Sequence, residues 1–440
     1  MMIIHNFSRG SYAPQRCISY FLCVSASLRD SFLPRVAVLI LITFGAVRAE
    51  NWDRFRGPNG AGQSEASVIP SVWSKENFLW TQPLAGVGHS SPVVWDGRVF
   101  ITSGDKTTGE KIVQAFDALS GRPLWEKRFP GTTYSMHAFN SYASCTPAAD
   151  AERMYIIWRD GIKLTLMALT HDGDVAWQAD AGLCEEKHGY GTSPVVVGDV
   201  VCIENDNETV SEIVAFDRQT GDVRWRIPRP SGDTSFSTPC VLDPDAEEKL
   251  LLVASNAAGL AAIDASSGRV AWQTAERDLP QRCVASPVVA SGLVFVSCGQ
   301  GGNGLHLLAV RPPTDTEDAR EVYRMKQGAP QVPTAVAAGD LLFVWHDGGT
   351  VTCIDAPTGK QHWRERVSGD AHGSPIRVGN RIFGVSVDGE VIVLAAEPTF
   401  KLLARNSLGE VSRATPAVAG DRMYLRTESS LVCVGAEGKD

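Results

Sequence analysis

Ser90-Ser91-Pro92-Val93-Val94-Trp95-Asp96-Gly97-Arg98-Val99-Phe100-Ile101-Thr102 decides the fold. A hydroxyl residue and a proline lead into a short apolar run, an Asp-Gly turn follows, and then a run of β-branched and aromatic residues with no helical spacing. After a polar loop the chain continues through Ile112-Val113-Gln114-Ala115-Phe116-Asp117, turns at Ala118 to Gly121, and runs on through Pro123-Leu124-Trp125-Glu126-Lys127. That is a four-stranded meander. The pattern recurs eight times, with its leading proline at 92, 147, 194, 239, 287, 333, 375 and 416. Self-similarity at that period means a solenoid or a propeller, and four short antiparallel strands per repeat are the unit of a propeller blade. The expected architecture is all-β, an eight-bladed β-propeller.

A second motif closes each repeat: Ala-x-Asp-x-x-Ser/Thr-Gly-x-x-x-Trp. It is complete at Ala115 to Trp125, Ala215 to Trp225 and Ala262 to Trp272, near-complete at Cys353 to Trp363, and degraded at Ala168 to Trp177. The fifth and seventh copies lose the Trp. The Asp and hydroxyl can bond the turn backbone, Gly permits positive φ, and the indole fills the gap against the next blade. The last repeat ends after Ser430-Leu431-Val432-Cys433-Val434, one strand short. Asn77 to Leu84, with Trp80 in the blade-ending role, is expected to supply that strand and seal the ring, which removes exposed edges.

The chain of 440 residues is 44% hydrophobic and 21% charged, with a formal net charge of -9. That charge excludes a nucleic-acid partner, which needs a basic face to displace phosphate counterions. Residues 1–49 read as a secretory signal peptide with an over-extended start: Arg35 precedes the apolar run from Val36, and Val47-Arg48-Ala49 offers a small-x-small cleavage site. The run is too short for a membrane span, so no stable span is expected in the mature form. Residues 50–76 read as an extended strap packing along the ring, and 77–440 as the propeller. The ten cysteines fall singly in apolar runs, without CxxC or adjacent pairs, and read mostly as buried thiols. Cys283 with Cys298 is the one candidate bridge.

These blade motifs resemble the tryptophan-docking repeat of the PQQ-like (pyrroloquinoline quinone repeat) propellers, the quinoprotein alcohol dehydrogenase-like fold that includes the BamB-like proteins. A narrower resemblance, in Asn51-Trp52-Asp53-Arg54-Phe55-Arg56-Gly57-Pro58-Asn59-Gly60 and Gly86 to Pro92, is to secreted PQQ-binding-like propellers of planctomycete-type bacteria. The resemblance is specific for fold, not for activity. In the alcohol-dehydrogenase branch PQQ is stacked between an indole and a vicinal disulfide beside a Ca²⁺ ion. This chain has no adjacent cysteines and no CxxCH haem site, a departure that lowers the enzyme reading without excluding it.

The residue three before each proline is expected to line the channel mouth. Those positions carry His89, Ser144, Gly191, Phe236, Val284, Pro330, His372 and Arg413. Blades seven, eight and one adjoin in a closed ring, so His372, Arg413 and His89 should form one arc. Two imidazoles flanking a guanidinium suit a carboxylate or phosphate; the alternative is that each caps a strand end. His137, Asn140, Tyr142, His188, Tyr190 and Arg282 precede strands in blades two, three and five and are further mouth candidates, or ordinary loop residues. Glu204-Asn205-Asp206-Asn207-Glu208 offers oxygen ligands of the kind Ca²⁺ takes but lacks a calcium-loop spacing, and reads as a hairpin turn. No catalytic residue and no metal site is assigned.

The expected function is an exported, periplasmic or extracellular, non-catalytic binding or scaffold module with a protein partner or a small anionic or glycan ligand. No cofactor is expected. The alternatives are a PQQ/Ca²⁺-dependent oxidoreductase and a hydrolase or lyase on an exported polymer.

Overall fold

In a computed structural model the protein is described over residues 51–66, 68–301 and 303–436, so the leader lies outside the described residues. Eight antiparallel sheets of four blade strands each follow one another along the chain, with two single 3₁₀ turns the only helical pieces described. Blade one is Val93–Trp95, Arg98–Gly104, Lys111–Asp117 and Pro123–Phe129. Blade eight joins Ala417–Ala419, Arg422–Arg426 and Ser430–Gly435 to Trp80–Pro83. Trp80 pairs with Cys433 and Pro83 with Ser430, so the N-terminal strand closes the ring as the repeat count requires, over a shorter span than 77–84.

The inner strands are apolar on both faces because each sheet is packed between two neighbours. Lys111–Asp117 and Ser211–Asp217 are buried throughout except at their last residue, whereas the outer strand Val223–Arg229 alternates between exposed and half-buried. Cys283 and Cys298 are not bridged: both are buried free thiols in one apolar cluster with Leu252, Leu260 and Val296, as the other described cysteines are in theirs.

The blade-ending motif works between neighbours. The indole N–H groups of Trp80, Trp125, Trp177, Trp225 and Trp363 donate to Ala118 O, His171 O, Arg218 O, Ala265 O and Glu397 O of the following blade, at 2.8–3.3 Å. Trp272 holds the same register opposite Ala262. The turn glycine of the next blade lies on the indole face: a Cβ on Gly121 would come within 2.5 Å of Trp80, and φ there is +73°. The two repeats without a Trp are filled otherwise. Tyr323 takes the place in blade five, its hydroxyl donating to Ala356 O at 2.6 Å. In blade seven Ala404 stands opposite Val393, and Trp73 from the N-terminal segment stacks on Phe383 at 6.3 Å, the partnership that Trp363 makes with Phe343 one blade earlier.

The inner ends of the blades are tied by a closed belt of eight hydrogen bonds. Each backbone N–H of Ser91, Thr146, Ser193, Thr238, Ser286, Thr334, Ser374 and Thr415 donates to the hydroxyl of the next residue in that series, and Thr415 N–H returns to Ser91, at 2.9–3.2 Å. The innermost strand has no ladder partner on its channel side, so the hydroxyls satisfy donors that would otherwise be orphaned. The belt corrects one register. In blade six the belt residue is Thr334, after Pro333 rather than before it, so the mouth position of that blade is Val332 and not Pro330.

Residues 52–62 of the N-terminal segment do not pack along the ring but enter the central channel, whereas Ile69 to Trp73 lie against blade seven. Trp52 exchanges both backbone hydrogen bonds with Val94 of blade one, at 2.9 Å. Ala149 N–H of blade two donates to Asp53 O, and Asn59 pairs with Val241 of blade four both ways at 2.8 Å. Arg56 reaches Thr334 O, Ala335 O and Pro375 O of blades six and seven, and Arg54 donates to Pro239 O. One short segment can touch the innermost strands of so many blades only on the ring axis. Beyond it Gln63–Ser64 adds a parallel fifth strand to blade seven, at Arg377 and Val378.

Candidate functional site

The plug closes the channel beneath a cavity of about 510 Å³, with Phe55 contributing to its lining. The belt residues Ser91, Ser193, Thr238, Thr334, Ser374 and Thr415 line it, and above them stand His89, Ser144, Gly191, Phe236, Val284, Val332, His372 and Arg413, one from each blade. The arc expected from blades seven, eight and one is therefore assembled. His137, Asn140, His188 and Arg282 also line the cavity. Tyr142 and Tyr190 do not. Tyr142 packs edge-on against Tyr134 at 4.9 Å with Lys111 over its ring, and Tyr190 is buried with its hydroxyl donating to Glu204 O at 2.9 Å. Both side chains turn into the space between blades, where an aromatic ring buries more apolar area than at the rim.

The connection into blade two, residues 130–146, crosses the mouth. His137 N–H and Asn140 Nδ2 both donate to His188 O, at 3.3 and 2.8 Å. The Phe139 ring lies 4.4 Å from that of His372. Phe139, 45% exposed, was not foreseen as a site residue. The signal was there: the interval from Pro92 to Pro147 is the longest between successive repeat prolines, and a long loop in a repeat protein tends to lie over its binding face.

Arg413 is the unbalanced charge. Among the described residues it makes no ion pair and no hydrogen bond, and its Nε is buried without a partner. A strand-capping role would give it a backbone carbonyl, which it lacks. Arg426 beside it is fully buried and donates to Ser90 O, Ser90 Oγ, Thr102 O and Ser103 Oγ, with no carboxylate. Burial, then Arg426, Arg413 and His372, push the His89 imidazole down to about 3. Burial and Arg413 hold His372 down to about 4, against a small opposing pull from Asp370, and its Nδ1 is buried without a partner. Both rings are neutral at pH 7 because a second proton would enter a site that is already cationic.

The blades across the ring are different. Glu208 faces Arg282 at 3.8 Å, Arg282 lies over the Phe236 ring, and Asp233 accepts from Asn256 at 3.2 Å. Glu186 is buried, yet Thr234 and the N–H and imidazole of His188 hold its carboxyl below the usual range. Of the Glu204 to Glu208 segment, Glu204 and Asn205 end the strand Val200–Asn205, paired with Ile213 and Glu212, and only Asp206 to Glu208 lie in the hairpin connection. Asn207 Oδ1 accepts from Thr209 and Val210, Asp206 pairs with Arg229 at 2.9 Å, and burial and the Asp206 charge push the Glu204 carboxyl well above the usual range. No three His, Cys, Asp or Glu residues converge as a metal site among the described residues.

The two depressed imidazoles make stability depend on pH with a definite sign. Their folded-state values lie below the unfolded value of about 6.5, so their contribution is present above that pH and is lost as pH falls toward 4. The melting temperature is expected to fall by a few °C between pH 7 and pH 5. A His89→Asn/His372→Gln double variant should flatten that segment of the curve; an unchanged slope would place the pH sensitivity elsewhere.

Comparison with known proteins follows the fold. A family model described as outer membrane protein assembly factor BamB matches residues 75–243, 207–314, 241–334 and 306–439. The protein of that name from Burkholderia pseudomallei (strain K96243) is 22% identical over 373 residues, covering 80% of this chain and 85% of the relative. Among solved structures, BamB from Moraxella catarrhalis superposes with a TM-score of 0.55 at 15% identity, over 86% of this chain and all of that one. Quinohemoprotein alcohol dehydrogenase from Comamonas testosteroni gives 0.63 at 13% identity, over 90% of this chain and 82% of that one. Likeness at that identity shows the fold alone, whereas the family model spans nearly the whole ring. The chain belongs to the BamB family of PQQ-repeat propellers.

Proposed function

We propose that the protein is an exported, non-catalytic binding module whose working face is the channel mouth, where it takes an anionic group of a protein partner or a small ligand. The observation that carries this reading is Arg413, a guanidinium held without a counter-ion between two neutral imidazoles in a cavity of ligand size. Membership in a family named for outer membrane protein assembly supports a protein partner and a compartment beyond the inner membrane. Among the described residues no helix is long and apolar enough to cross a membrane.

The donor set does not suit PQQ with Ca²⁺. No indole and no cysteine lines the cavity, and its two carboxylates, Glu208 and Asp233, already face Arg282 and Asn256. Ca²⁺ takes six to eight oxygens, and two engaged carboxylates are a poor start. The same count leaves a hydrolase or lyase without a pair of free carboxylates. A titration of the purified protein with PQQ, with and without Ca²⁺, followed by absorbance and dye-linked turnover on alcohols and sugars, tests this. No stoichiometric uptake is expected; uptake with turnover would make the protein a quinoprotein enzyme.

A further inference from the structure

Arg413, His89 and His372 come from three adjacent blades and line one arc of the cavity. Three donors of that kind match three oxygens of a tetrahedral oxyanion better than the two of a carboxylate. A neutral imidazole has one N–H to give. The His89 and His372 rings both line the cavity with Arg413, and Phe139 of the loop lies against His372. An anion seated on Arg413 therefore receives at most one donor from each neutral ring, and gains a second donor and a positive charge where a ring takes up a proton. His372 has a buried Nδ1 that no group among the described residues engages.

We infer that the arc binds a tetrahedral oxyanion dianion, free or as a monoester, and that it does so with proton uptake onto His89 and His372. The inference rests on the anion-binding reading of the mouth. Its balance is simple: the dianion arrives, one or two protons come from solvent, and each imidazole becomes a two-donor imidazolium. The groups facing these rings account for the coupling. Arg426, Arg413 and the partner imidazole face His89, and Arg413, Asp370 and His137 face His372. All but Asp370 oppose protonation in the empty site. A bound dianion offsets the charge of Arg413 and reverses the balance.

Sulfate is the probe, because it stays doubly charged throughout pH 5–8 and any proton must go to the protein. Calorimetric titration of the full chain at pH 6 in two buffers of different ionisation enthalpy should give an uptake of about one proton per sulfate. Affinity should then rise by about ten- to a hundredfold from pH 7.5 to pH 5.5, since one proton corresponds to about tenfold per pH unit. His89→Asn should bind sulfate with roughly half that uptake, a readout that a merely structural role would not move. Methanesulfonate, tetrahedral but singly charged, should lose to sulfate by a margin that widens as pH falls. Glucose 6-phosphate compared with sulfate at pH 7 separates the two sources: tighter ester binding puts the sugar in the rest of the cavity, and equal binding makes this a free-ion site. Sulfate bound with no proton uptake and equal affinity at both pH values would overturn the inference and leave the anion reading standing. Failure of both sulfate and acetate to bind would overturn both.

Discussion

Trp52→Ala is expected to lower the unfolding free energy by about 3–5 kcal/mol, the usual cost of emptying an aromatic-sized core site. Trp52 is fully buried in a cluster that includes Val94 and Val99 of blade one, Ile376 and Val378 of blade seven, and Tyr424 of blade eight. The face of its indole is covered by Gly57, where a Cβ would come within 2.5 Å, and φ there is +66°. Ring and turn are thus fitted to each other, and the void cannot be filled by a small backbone shift. The indole N–H has no hydrogen-bond partner, so the side chain acts through apolar packing and its loss is close to a pure cavity cost.

A second consequence separates the plug from the rest of the core. Arg54 and Arg56 lie just beyond Trp52, with guanidiniums buried among backbone carbonyls and no carboxylate near Arg56; burial pushes Arg56 down to about 9. A charge held in this way is stable only while the segment stays seated. The variant should therefore expose residues 51–62 to protease before the ring unfolds. Denaturant titration and limited proteolysis check the two halves, and a midpoint within error of the parent would mean that the segment does not anchor the blades.

The ring was legible because its rules are local and repeated. Ser/Thr-Pro marks the first strand of a blade and Asp-x-x-x-Gly the last turn, both within a few residues of the group they serve. The closing strand could be found by counting strands, since a ring of eight cannot leave one blade with three. Blade six shows the limit of counting: Pro333 lies two residues before the position homologous to the other prolines, and only the belt hydrogen bonds of Thr334 reveal the register. The plug was out of reach for another reason. Trp52, Arg54 and Arg56 find their partners some 40 to 320 residues away, and nothing in Asn51 to Gly60 says whether an aromatic and basic segment lies on a surface or enters a channel. Trp73 is the same case, since the gap it fills is created by the missing Trp of blade seven. At the mouth, offset from the proline sufficed for the arc because that position faces the channel in every blade. Tyr142 and Tyr190 come before strands too, but at positions with no such constraint, and they turned inward. Phe139 could be suspected only from the length of its loop.

Arg413→Gln is expected to reduce sulfate affinity by about ten- to a hundredfold while leaving the melting temperature unchanged or slightly higher. The two halves of that result come from the same fact. A hydrogen bond to a charged group contributes about 1.5–3 kcal/mol, and the planar fork is lost with the guanidinium, which gives the loss in affinity. In the empty site the charge does no stabilising work: it makes no ion pair, its Nε is orphaned, and it pushes His89 and His372 down. Removing it relieves repulsion, lets both imidazoles titrate nearer their ordinary range, and should reduce the loss of stability between pH 7 and pH 5. A residue kept for the fold would behave in the opposite way. If the variant melts well below the parent, Arg413 holds the ends of the blades together; if it melts normally and binds sulfate as tightly as before, the oxyanion sits elsewhere in the cavity, with Arg282 and Lys187 the remaining cations on its wall.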